Sequence, residues 1–315
     1  MAGNRLVLSR AITLAESTLP TDQELARQVL ETVLPHTGSS VRIGITGVPG
    51  VGKSTFIEVF GKYFTAQGHK LAVLAIDPTS QRSHGSILGD KTRMEQLSVD
   101  PNAYIRPSPA GSSLGGVTNA TRQAMLLCEA AGFDTIFIET VGVGQSETAV
   151  HVMTDFFLLL MLAGAGDELQ GIKRGIMEMA DALVITKADG ENKKRAIGAK
   201  ADYQSALHLF PAAESNWIPK VLTCSALTGE GVPEVAALIS EYVTTVQQNG
   251  YFQQKRQAQQ LDWLHQLIRH RLETDFFSHA QVKQYLPEIE AQVKSGQLSA
   301  FSGATALFDR FAEVK

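Results

Sequence analysis

Residues 47–54 combine glycines, a lysine and a serine at a spacing that suits phosphate chemistry. Their sequence, Gly-Val-Pro-Gly-Val-Gly-Lys-Ser, fits the pattern G-x-x-x-x-G-K-[ST]. In this pattern backbone N–H groups surround a polyphosphate, the lysine reaches the β- and γ-phosphates, and the hydroxyl holds Mg²⁺. Lys53 is therefore a candidate catalytic residue and Ser54 a candidate metal ligand. The expected nucleotide contacts from this loop are Gly47, Pro49, Gly50, Val51, Gly52, Lys53, Ser54 and Thr55.

The segments on either side of this loop distinguish a phosphate site from an ordinary glycine turn. Val41–Thr46 has the β-branched pattern of a strand, and the residues from Thr55 onward have the pattern of an amphipathic helix. A strand, a glycine loop and a helix start place the loop at the positive end of a helix dipole. We therefore predict a site for a nucleoside triphosphate.

Strand and helix patterns alternate from residue 40 to residue 248, which predicts an α/β fold. Further strands are predicted at Leu71–Ile76, Ala103–Arg106, Thr135–Glu139, Asp155–Leu162, Ala182–Thr186 and Lys220–Cys224, and helices at Gly116–Ala131, Arg174–Met179, Lys193–Leu209 and Val232–Gln247. Strands separated by helices indicate a doubly wound, mainly parallel sheet, here with a P-loop after its first strand. Ligands of such sheets bind at the carboxyl ends of the strands, where the polar motifs of this chain all fall.

A second motif, at the end of the strand over residues 182–186, indicates which base is bound. Thr186, Lys187 and Asp189 match the guanine-recognition pattern N-K-x-D, with threonine in place of asparagine. An aspartate there accepts hydrogen bonds from two guanine donors, whereas adenine would leave the carboxylate facing a lone pair. The structural alternative is a surface turn after a strand. The residues Ser225, Ala226 and Leu227, after the next strand, are expected to donate a backbone N–H to the guanine oxygen.

Three acidic residues follow strands at the predicted phosphate end of the sheet. Glu139 and Gly142 form a D-x-x-G-like element with glutamate in place of aspartate; we expect the carboxylate to bind Mg²⁺ and the glycine N–H to contact the γ-phosphate. Asp77 and Asp90 are candidates to complete the Mg²⁺ shell or to orient water, although an aspartate before proline is commonly a turn residue. Val143 stands where a water-positioning glutamine is expected, so intrinsic hydrolysis should be slow.

The composition excludes several classes of protein and partner. The chain of 315 residues has a net charge of −4 and 19% charged residues, which indicates a globular protein without affinity for nucleic acid or anionic membranes. No signal-peptide pattern opens the sequence, and the most apolar run, residues 158–163, is too short to span a membrane. Cys128 and Cys224 are interpreted as buried small residues. Together these features predict a cytoplasmic protein.

Helical extensions are predicted on both sides of the nucleotide domain. Residues 1–39 hold two helical patterns, with Thr21 as the expected N-cap of the second, and residues 40–248 form the GTPase domain. Residues 249–315 hold three further helical patterns, Gln253–Thr274, Val282–Val293 and Phe301–Phe311. This C-terminal segment is either a structural cap or a dimerisation arm, and the extent of its apolar stripe favours the arm.

The combination of motifs resembles the MeaB/ArgK family of G-proteins, bacterial relatives of the human methylmalonic aciduria type A protein. The resemblance covers nearly the whole chain and rests on the phosphate loop and on four further strings: residues 77–80 (DPTS), 90–94 (DKTRM), 139–147 (ETVGVGQSE) and 186–189 (TKAD). It implies a homodimeric GTPase that chaperones adenosylcobalamin-dependent methylmalonyl-CoA mutase. Such a protein gates cofactor loading from a cobalamin adenosyltransferase, a further candidate partner, and protects or reactivates the mutase.

The resemblance also implies roles for particular residues. Mg²⁺ would be handled by Ser54, Asp77, Asp90 and Glu139. The glycine-rich segment 164–173 would be a switch loop, in which Asp167 and Lys173 couple the nucleotide state to the partner and Lys173 also acts in catalysis. Gln145 and Gln170 are further switch candidates, and Asp77 a further catalytic one. The expected ligands are Mg²⁺ and GTP or GDP, with no tightly bound organic cofactor.

Two other functions remain open on the sequence. A nickel-inserting GTPase shares this architecture, but the eight histidines here are scattered without metal-ligand spacing. A nucleotide-dependent kinase associated with amino-acid transport is the other candidate; the predicted guanine-binding Asp189 argues against adenine, and no motif for a second substrate is evident. The GTPase that serves a mutase, with slow turnover stimulated by its partner, is the leading interpretation.

Overall fold

The computed structural model describes residues 4–76, 94–107, 114–140, 146–164, 174–211 and 213–312. By its internal contacts the chain divides into two compact units, Met1–Gln259 and Gln260–Lys315. The first unit holds the sheet and the candidate site. The second consists of helices.

A parallel sheet forms the centre of the first unit. Its described strands are β1 (Val41–Gly47), β2 (Leu71–Ile76), β3 (Ala103–Arg106), β4 (Thr135–Thr140), β5 (Phe156–Leu162), β6 (Ala182–Thr186) and β7 (Lys220–Thr223). They lie in the order β3-β2-β4-β1-β5-β6-β7, and every neighbouring pair is parallel. This order confirms the prediction of a doubly wound, parallel α/β sheet. Sequence and structure agree on the bounds of β2, β3 and β6, and differ by one residue at one end of each of the other strands.

Helices flank the sheet and connect its strands. In the first unit the described helices are α1 (Arg5–Glu16), α2 (Pro20–Val33), α3 (Lys53–Ala66), α4 (Glu95–Ser98), α5 (Leu114–Ala130), α6 (Ser146–His151), α7 (Arg174–Met179), α8 (Asn192–Leu207) and α9 (Val232–Gln248), with a short 3₁₀ turn at Leu34–His36. They are followed by α10 (Tyr251–Ser278), α11 (Ala280–Lys294) and α12 (Ala300–Ala312). Among the described residues, no helix is long and apolar enough to cross a membrane.

The prediction that Thr21 caps the second helix is wrong. Helix α2 begins at Pro20, and its N-cap position is Leu19, which makes no side-chain capping bond. Proline favours the first helical position because its φ is already helical and it has no N–H to satisfy. The expected type of cap occurs at the start of α1, where the side-chain Oδ1 of Asn4 accepts hydrogen bonds from the backbone N–H groups of Leu6 and Val7.

Two hydrophobic layers cover the two faces of the sheet. Adjacent side chains of β5 enter different layers, since successive residues of a strand point to opposite faces. The Phe156 ring lies edge-on to Tyr242, with 5.0 Å between ring centroids, whereas Phe157 lies edge-on to His151 at 5.4 Å. Cys128 and Cys224 are buried free thiols, as predicted. Burial raises the pKa of the Cys224 thiol to about 12, so this sulfur is neutral at physiological pH.

Buried charges anchor the first turns of α10 to the amino ends of the central strands. Arg256 forms a bidentate pair with Asp155, which directly precedes β5, at distances of 2.7 and 2.9 Å. Asp155 also accepts the backbone N–H of Arg42 at 2.8 Å, and the Arg42 guanidinium pairs with Glu129 of α5 at 2.9 and 3.1 Å. These contacts hold the amino ends of β1 and β5 against α5 and the first turns of α10.

The second unit packs around aromatic side chains. The Phe276 ring lies 4.6 Å from the ring of Phe308 and 5.2 Å from that of Phe311, measured between centroids. A groove of 890 Å³ runs between the helices of this unit, and Phe301 and Phe308 remain largely exposed. The dimerisation arm stays a prediction.

Candidate nucleotide site

The candidate phosphate loop joins β1 to α3 and needs its glycines for two reasons. Gly50 and Gly52 have positive φ angles of 76° and 91°, a region that side chains with a Cβ rarely adopt. Gly47 pairs with Leu160 of the neighbouring strand, and a Cβ at position 47 would lie 2.5 Å from the Leu160 carbonyl oxygen. The loop therefore lies flat against the end of the sheet, directly before the amino end of α3.

The ammonium group of Lys53 lies inside this loop. Its Nζ donates a hydrogen bond to the Gly47 carbonyl oxygen at 2.8 Å. Burial lowers the pKa of Lys53, while the carboxylates of Glu139 and Glu147 oppose that shift. A cation that is partly desolvated and bonded to one carbonyl can exchange that contact for a phosphate oxygen, which is the role predicted for Lys53.

The candidate metal ligands Ser54 and Glu139 lie next to each other. The Ser54 hydroxyl is 3.5 Å from Glu139 Oε1, and Glu139 is buried at the end of β4. A hydroxyl and a carboxylate are the hard oxygen donors that Mg²⁺ prefers, and the ion commonly completes its shell with water and phosphate oxygens. The residues present thus fit Mg²⁺. Within the described ranges no cluster of three or more His, Cys, Asp or Glu side chains could hold a metal, and Asp77 and Asp90 lie outside those ranges.

The candidate guanine-recognition residues meet at the ends of β6 and β7. The Ser225 hydroxyl donates to Asp189 Oδ2 at 2.5 Å, and the Thr228 N–H donates to the Ser225 oxygen at 3.2 Å. The Ala188 N–H donates to the Cys224 carbonyl at 3.1 Å, so the two loops are joined through the backbone as well. This arrangement fixes the Asp189 carboxylate before any base arrives. Ala226 and Leu227 follow, and the Leu227 side chain is 84% exposed, free to cover a ligand.

Thr186 and Lys187 connect the two halves of the site. The Thr186 hydroxyl donates to the Val51 carbonyl at 2.8 Å and lies 3.3 Å from the Met161 carbonyl. Lys187 has a positive φ of 55°, and its Nζ donates to the Gly50 carbonyl at 2.9 Å. Both residues therefore hold the phosphate loop by its backbone.

Sequence reasoning assigned no role to Glu147 and treated Thr186 as a departure from the guanine motif. Glu147 is buried in the first turn of α6 and acts electrostatically on Lys53. Its position in the ETVGVGQSE string is the signal that could have identified it. Several predicted residues lie outside the described ranges: Gly142, Val143, Gln145, Asp167, Gln170 and Lys173.

The parallel sheet, the glycine loop between β1 and α3, and the polar residues at one strand edge define the class of P-loop nucleotide-binding proteins. Comparison with known proteins gives the family. The model of the family described as methylmalonyl Co-A mutase-associated GTPase MeaB matches residues 8–281. The chain therefore belongs to the MeaB family of GTPases.

Individual relatives agree with this assignment. The chain is 51% identical to a putative GTPase of Caulobacter vibrioides, covering 99% of this chain and 95% of that one, and 45% identical to the GTPase ArgK of Escherichia coli, covering 97% and 92%. It is 48% identical to the mitochondrial methylmalonic aciduria type A homolog of Mus musculus, covering 98% and 77%. A solved structure named LAO/AO transport system kinase superposes with a TM-score of 0.74 at 39% identity, covering 98% and 93%. The relatives from Caulobacter vibrioides and Escherichia coli are named GTPases, in agreement with GTP hydrolysis as the activity of this family.

Proposed function

We propose that this GTPase is a nucleotide-driven chaperone of an adenosylcobalamin-dependent mutase of the methylmalonyl-CoA type. In this role it gates loading of the cofactor and protects or reactivates the mutase. The observation that carries the proposal is the match of residues 8–281 to a family described as mutase-associated. The name of the mouse relative, methylmalonic aciduria type A homolog, supports a partner that acts on a methylmalonyl compound.

The residues at the strand edge support a simple mechanism of hydrolysis. Water attacks the γ-phosphorus of GTP, the bond to the bridging β–γ oxygen breaks, and GDP and phosphate leave. The reaction needs positioning and charge neutralisation more than covalent help. Lys53 would exchange the Gly47 carbonyl for phosphate oxygens as the nucleotide binds. Mg²⁺, held by Ser54 and Glu139, would neutralise phosphate charge. Asp189, held by Ser225, would bind guanine.

Strand β5 offers a route from the nucleotide to a partner. Gly47 of the phosphate loop pairs with Leu160, two residues before β5 ends at Leu162. The chain therefore leaves the sheet beside the phosphates and enters segment 164–173, the predicted switch loop, most of which lies outside the described residues. GTP and GDP differ at this point of the site by the γ-phosphate. We propose that this difference is what the mutase detects.

The remaining parts of the proposal concern partners and assembly. A homodimer formed through the C-terminal helices is supported by the exposed aromatic side chains of the second unit, such as Phe301 and Phe308. A cobalamin adenosyltransferase is a further proposed partner, since cofactor loading needs a donor. The intrinsic GTP hydrolysis is expected to be slow because Val143 replaces a glutamine, and we propose that binding of the mutase accelerates it.

The test combines capture of the partner with a functional assay. The full chain, immobilised with GDP or with a non-hydrolysable GTP analogue, is expected to retain a mutase from the native cell in a nucleotide-dependent manner. The purified holo-mutase is then turned over with and without the GTPase, and its loss of activity with time is followed. Slower inactivation with GTP supports the proposal. Equal inactivation in all arms, or no mutase retained with either nucleotide, would show that the protein serves another partner.

The name of the solved relative supports a second candidate, a kinase of a transport system. The two functions differ in where the γ-phosphoryl group goes. With γ-labelled GTP the hydrolase releases all the label as inorganic phosphate, whereas a kinase transfers part of it to a protein. Label found on any protein of the native extract, and absent with Lys53→Met, would favour the kinase.

A further inference from the structure

A second cavity lies at the amino ends of the strands, whereas the candidate nucleotide site lies at their carboxyl ends. It measures 740 Å³ and lies wholly within the first unit. Asp181, which directly precedes β6, lines it, as do the end of α6, helix α7, the end of α8 and the first turns of α10. The cavity is of the size that holds small organic ligands. Because it opens at the amino ends of the strands, it is separate from the phosphate loop, which follows a carboxyl end.

The inner wall of this cavity carries an ammonium group with unused hydrogen-bonding capacity. The Lys255 side chain is 12% exposed. Its Nζ donates to the Asp155 carbonyl oxygen at 2.8 Å, and the Asp181 carboxylate lies 3.9 Å away, beyond hydrogen-bonding distance. An ammonium group has three donors. Toward the described residues, two of them lack an acceptor, so these donors are available to a ligand that enters the cavity.

The other polar groups of the inner wall compete weakly for this ammonium. Asp181 already accepts the backbone N–H of Phe157 at 2.8 Å, and burial raises the pKa of its carboxyl group. Burial, together with the nearby charge of Lys255, lowers the pKa of His151 to about 4, so its imidazole is neutral at physiological pH. The Asp155 carboxylate is occupied by Arg256. Asp181 thus forms only a long ion pair with Lys255, and the hydrogen-bonding capacity of the ammonium group that remains suits an anionic head group.

The rest of the lining selects the shape and the charge of that anion. Apolar side chains line the cavity beside the ammonium, and Trp217 is among them, with its indole N–H already donated to the Asp181 carbonyl at 2.8 Å. Glu178 and Glu214 also line the cavity and are exposed. Two carboxylates at the mouth oppose a ligand with a second negative charge.

We propose that this cavity binds a small organic monocarboxylate with an apolar tail, its carboxylate on the Lys255 ammonium and its tail against Trp217. A charge-assisted hydrogen bond to a carboxylate is about twice as strong as a neutral one, so the head group determines the position of the ligand. The site is independent of the proposed mutase partner.

The tryptophan content of the chain allows a site-specific measurement. The sequence has two tryptophans, and in a Trp263→Phe background Trp217 is the one that remains. Its fluorescence is titrated with octanoate, with octanamide and octylamine as neutral and cationic analogues, and with suberate as the dianion. We expect saturable quenching with octanoate and at least about tenfold weaker binding of the other three, which is about 1.4 kcal/mol or more.

Variants of two lysines near Trp217 locate the head group. Lys255→Met should weaken octanoate binding by about tenfold or more, whereas Lys255→Arg should retain it within about threefold because the charge remains. Lys220, which lies 5.0 Å from the Trp217 ring and pairs with Glu241, provides the control: Lys220→Met should bind octanoate as the parent does. Thermal unfolding of each variant verifies the fold.

Three results would contradict the proposal. Octanamide binding as well as octanoate in the Trp263→Phe parent would show that no charge in the cavity recognises the head group, and this arm needs no substitution in the cavity. Equal octanoate affinity in the Lys255→Met and parent proteins would place the carboxylate elsewhere. Suberate binding as tightly as octanoate would contradict the selection for a single charge.

Discussion

The Thr186 hydroxyl donates a hydrogen bond of 2.8 Å to the carbonyl oxygen of Val51. Thr186 ends β6, directly before the residues expected to bind guanine, and Val51 lies in the phosphate loop. One buried hydroxyl thus fixes the distance between the two ends of the site. Lys187 adds a second link, from its Nζ to the Gly50 carbonyl at 2.9 Å. Because a bound nucleotide would contact both ends, removal of either link should weaken its binding.

We predict that Thr186→Val weakens nucleotide binding, because the Val51 carbonyl would lose a buried donor. The loss of such a partner costs about 1–3 kcal/mol, which corresponds to about tenfold or more in affinity. GTP and GDP should be affected alike, since both occupy the loop. Calorimetric titration measures both, and Thr186→Ser, which keeps the hydroxyl, should bind nearly as the parent does. Unchanged affinity of Thr186→Val would show that the link is incidental.

Asp189→Asn should move the base preference from guanine toward xanthine. The substitution replaces an acceptor by a donor, which suits the oxygen that xanthine carries where guanine has its amino group. Titration of the variant with GTP and with XTP measures the change. Ser225→Ala is the companion variant: it removes the 2.5 Å bond that positions Asp189 and should weaken GTP without favouring XTP. If the Asp189→Asn variant still prefers GTP, another residue recognises the base.

Lys53→Met should abolish GTP hydrolysis and leave the fold intact. The substitution removes the cation expected at the phosphates, while the apolar stem still fills the same space. Because burial already lowers the pKa of Lys53, loss of its charge should not lower the melting temperature. Phosphate release and a circular dichroism melt are measured side by side. Lys62→Met, on the same helix but exposed and 3.5 Å from Asp100, should keep turnover; joint loss of fold and activity in Lys53→Met would mean that Lys53 is structural.

Acid should destabilise the protein partly through Glu129. Burial alone would raise the pKa of this carboxyl group, but Arg42, the Ser40 hydroxyl and the Gly38 N–H outweigh burial and lower it. A carboxylate with a lowered pKa stabilises the fold above its unfolded pKa, and that stability is lost as the pH falls through the folded pKa. Glu129→Gln should therefore cost about 3–5 kcal/mol near neutral pH and flatten the acid limb of the stability profile.

Glu24 provides the matched control for that experiment. Hydrogen bonds from Arg27 lower the pKa of Glu24 to about 2, yet the pair lies on the surface of α2. Water and salt screen such a pair, so Glu24→Gln should change neither the unfolding midpoint in denaturant nor its pH dependence measurably. Equal effects of the two substitutions would mean that burial does not distinguish the two ion pairs.

The elements were predictable from sequence where the pattern is local. Apolar and β-branched runs fixed the bounds of β2 and β6, because a strand buried on both faces has a continuous apolar sequence. The bounds of β3 also agree, although its last two residues are only partly buried. The cap at Thr21 failed because Pro20, one position earlier, starts the helix by itself. Two local signals disagree at the start of this helix, a threonine that could cap it and a proline that suits its first position. The proline determines the start because its φ angle is already helical.

The contacts that hold the candidate site together were not predictable, because they join residues far apart in the chain. The bond from Thr186 to Val51 spans 135 positions, and the sequence showed only a threonine where asparagine was expected. Glu147 appeared within a polar string, and only the structure shows it buried near Lys53. The spacing of the glycines, by contrast, is a local constraint, and it was sufficient to locate the phosphate loop.

The pair between Arg256 and Asp155 determines how short an autonomously folding nucleotide domain can be. A chain ended at Gln248, where α9 stops, would lack the guanidinium and leave the Asp155 carboxylate buried without its partner. A chain ended at Gln259 would keep it. The first turns of α10 are thus an integral part of the core of the nucleotide domain. The division of the chain at Gln259 agrees with this boundary, which lies eleven residues beyond the end of α9.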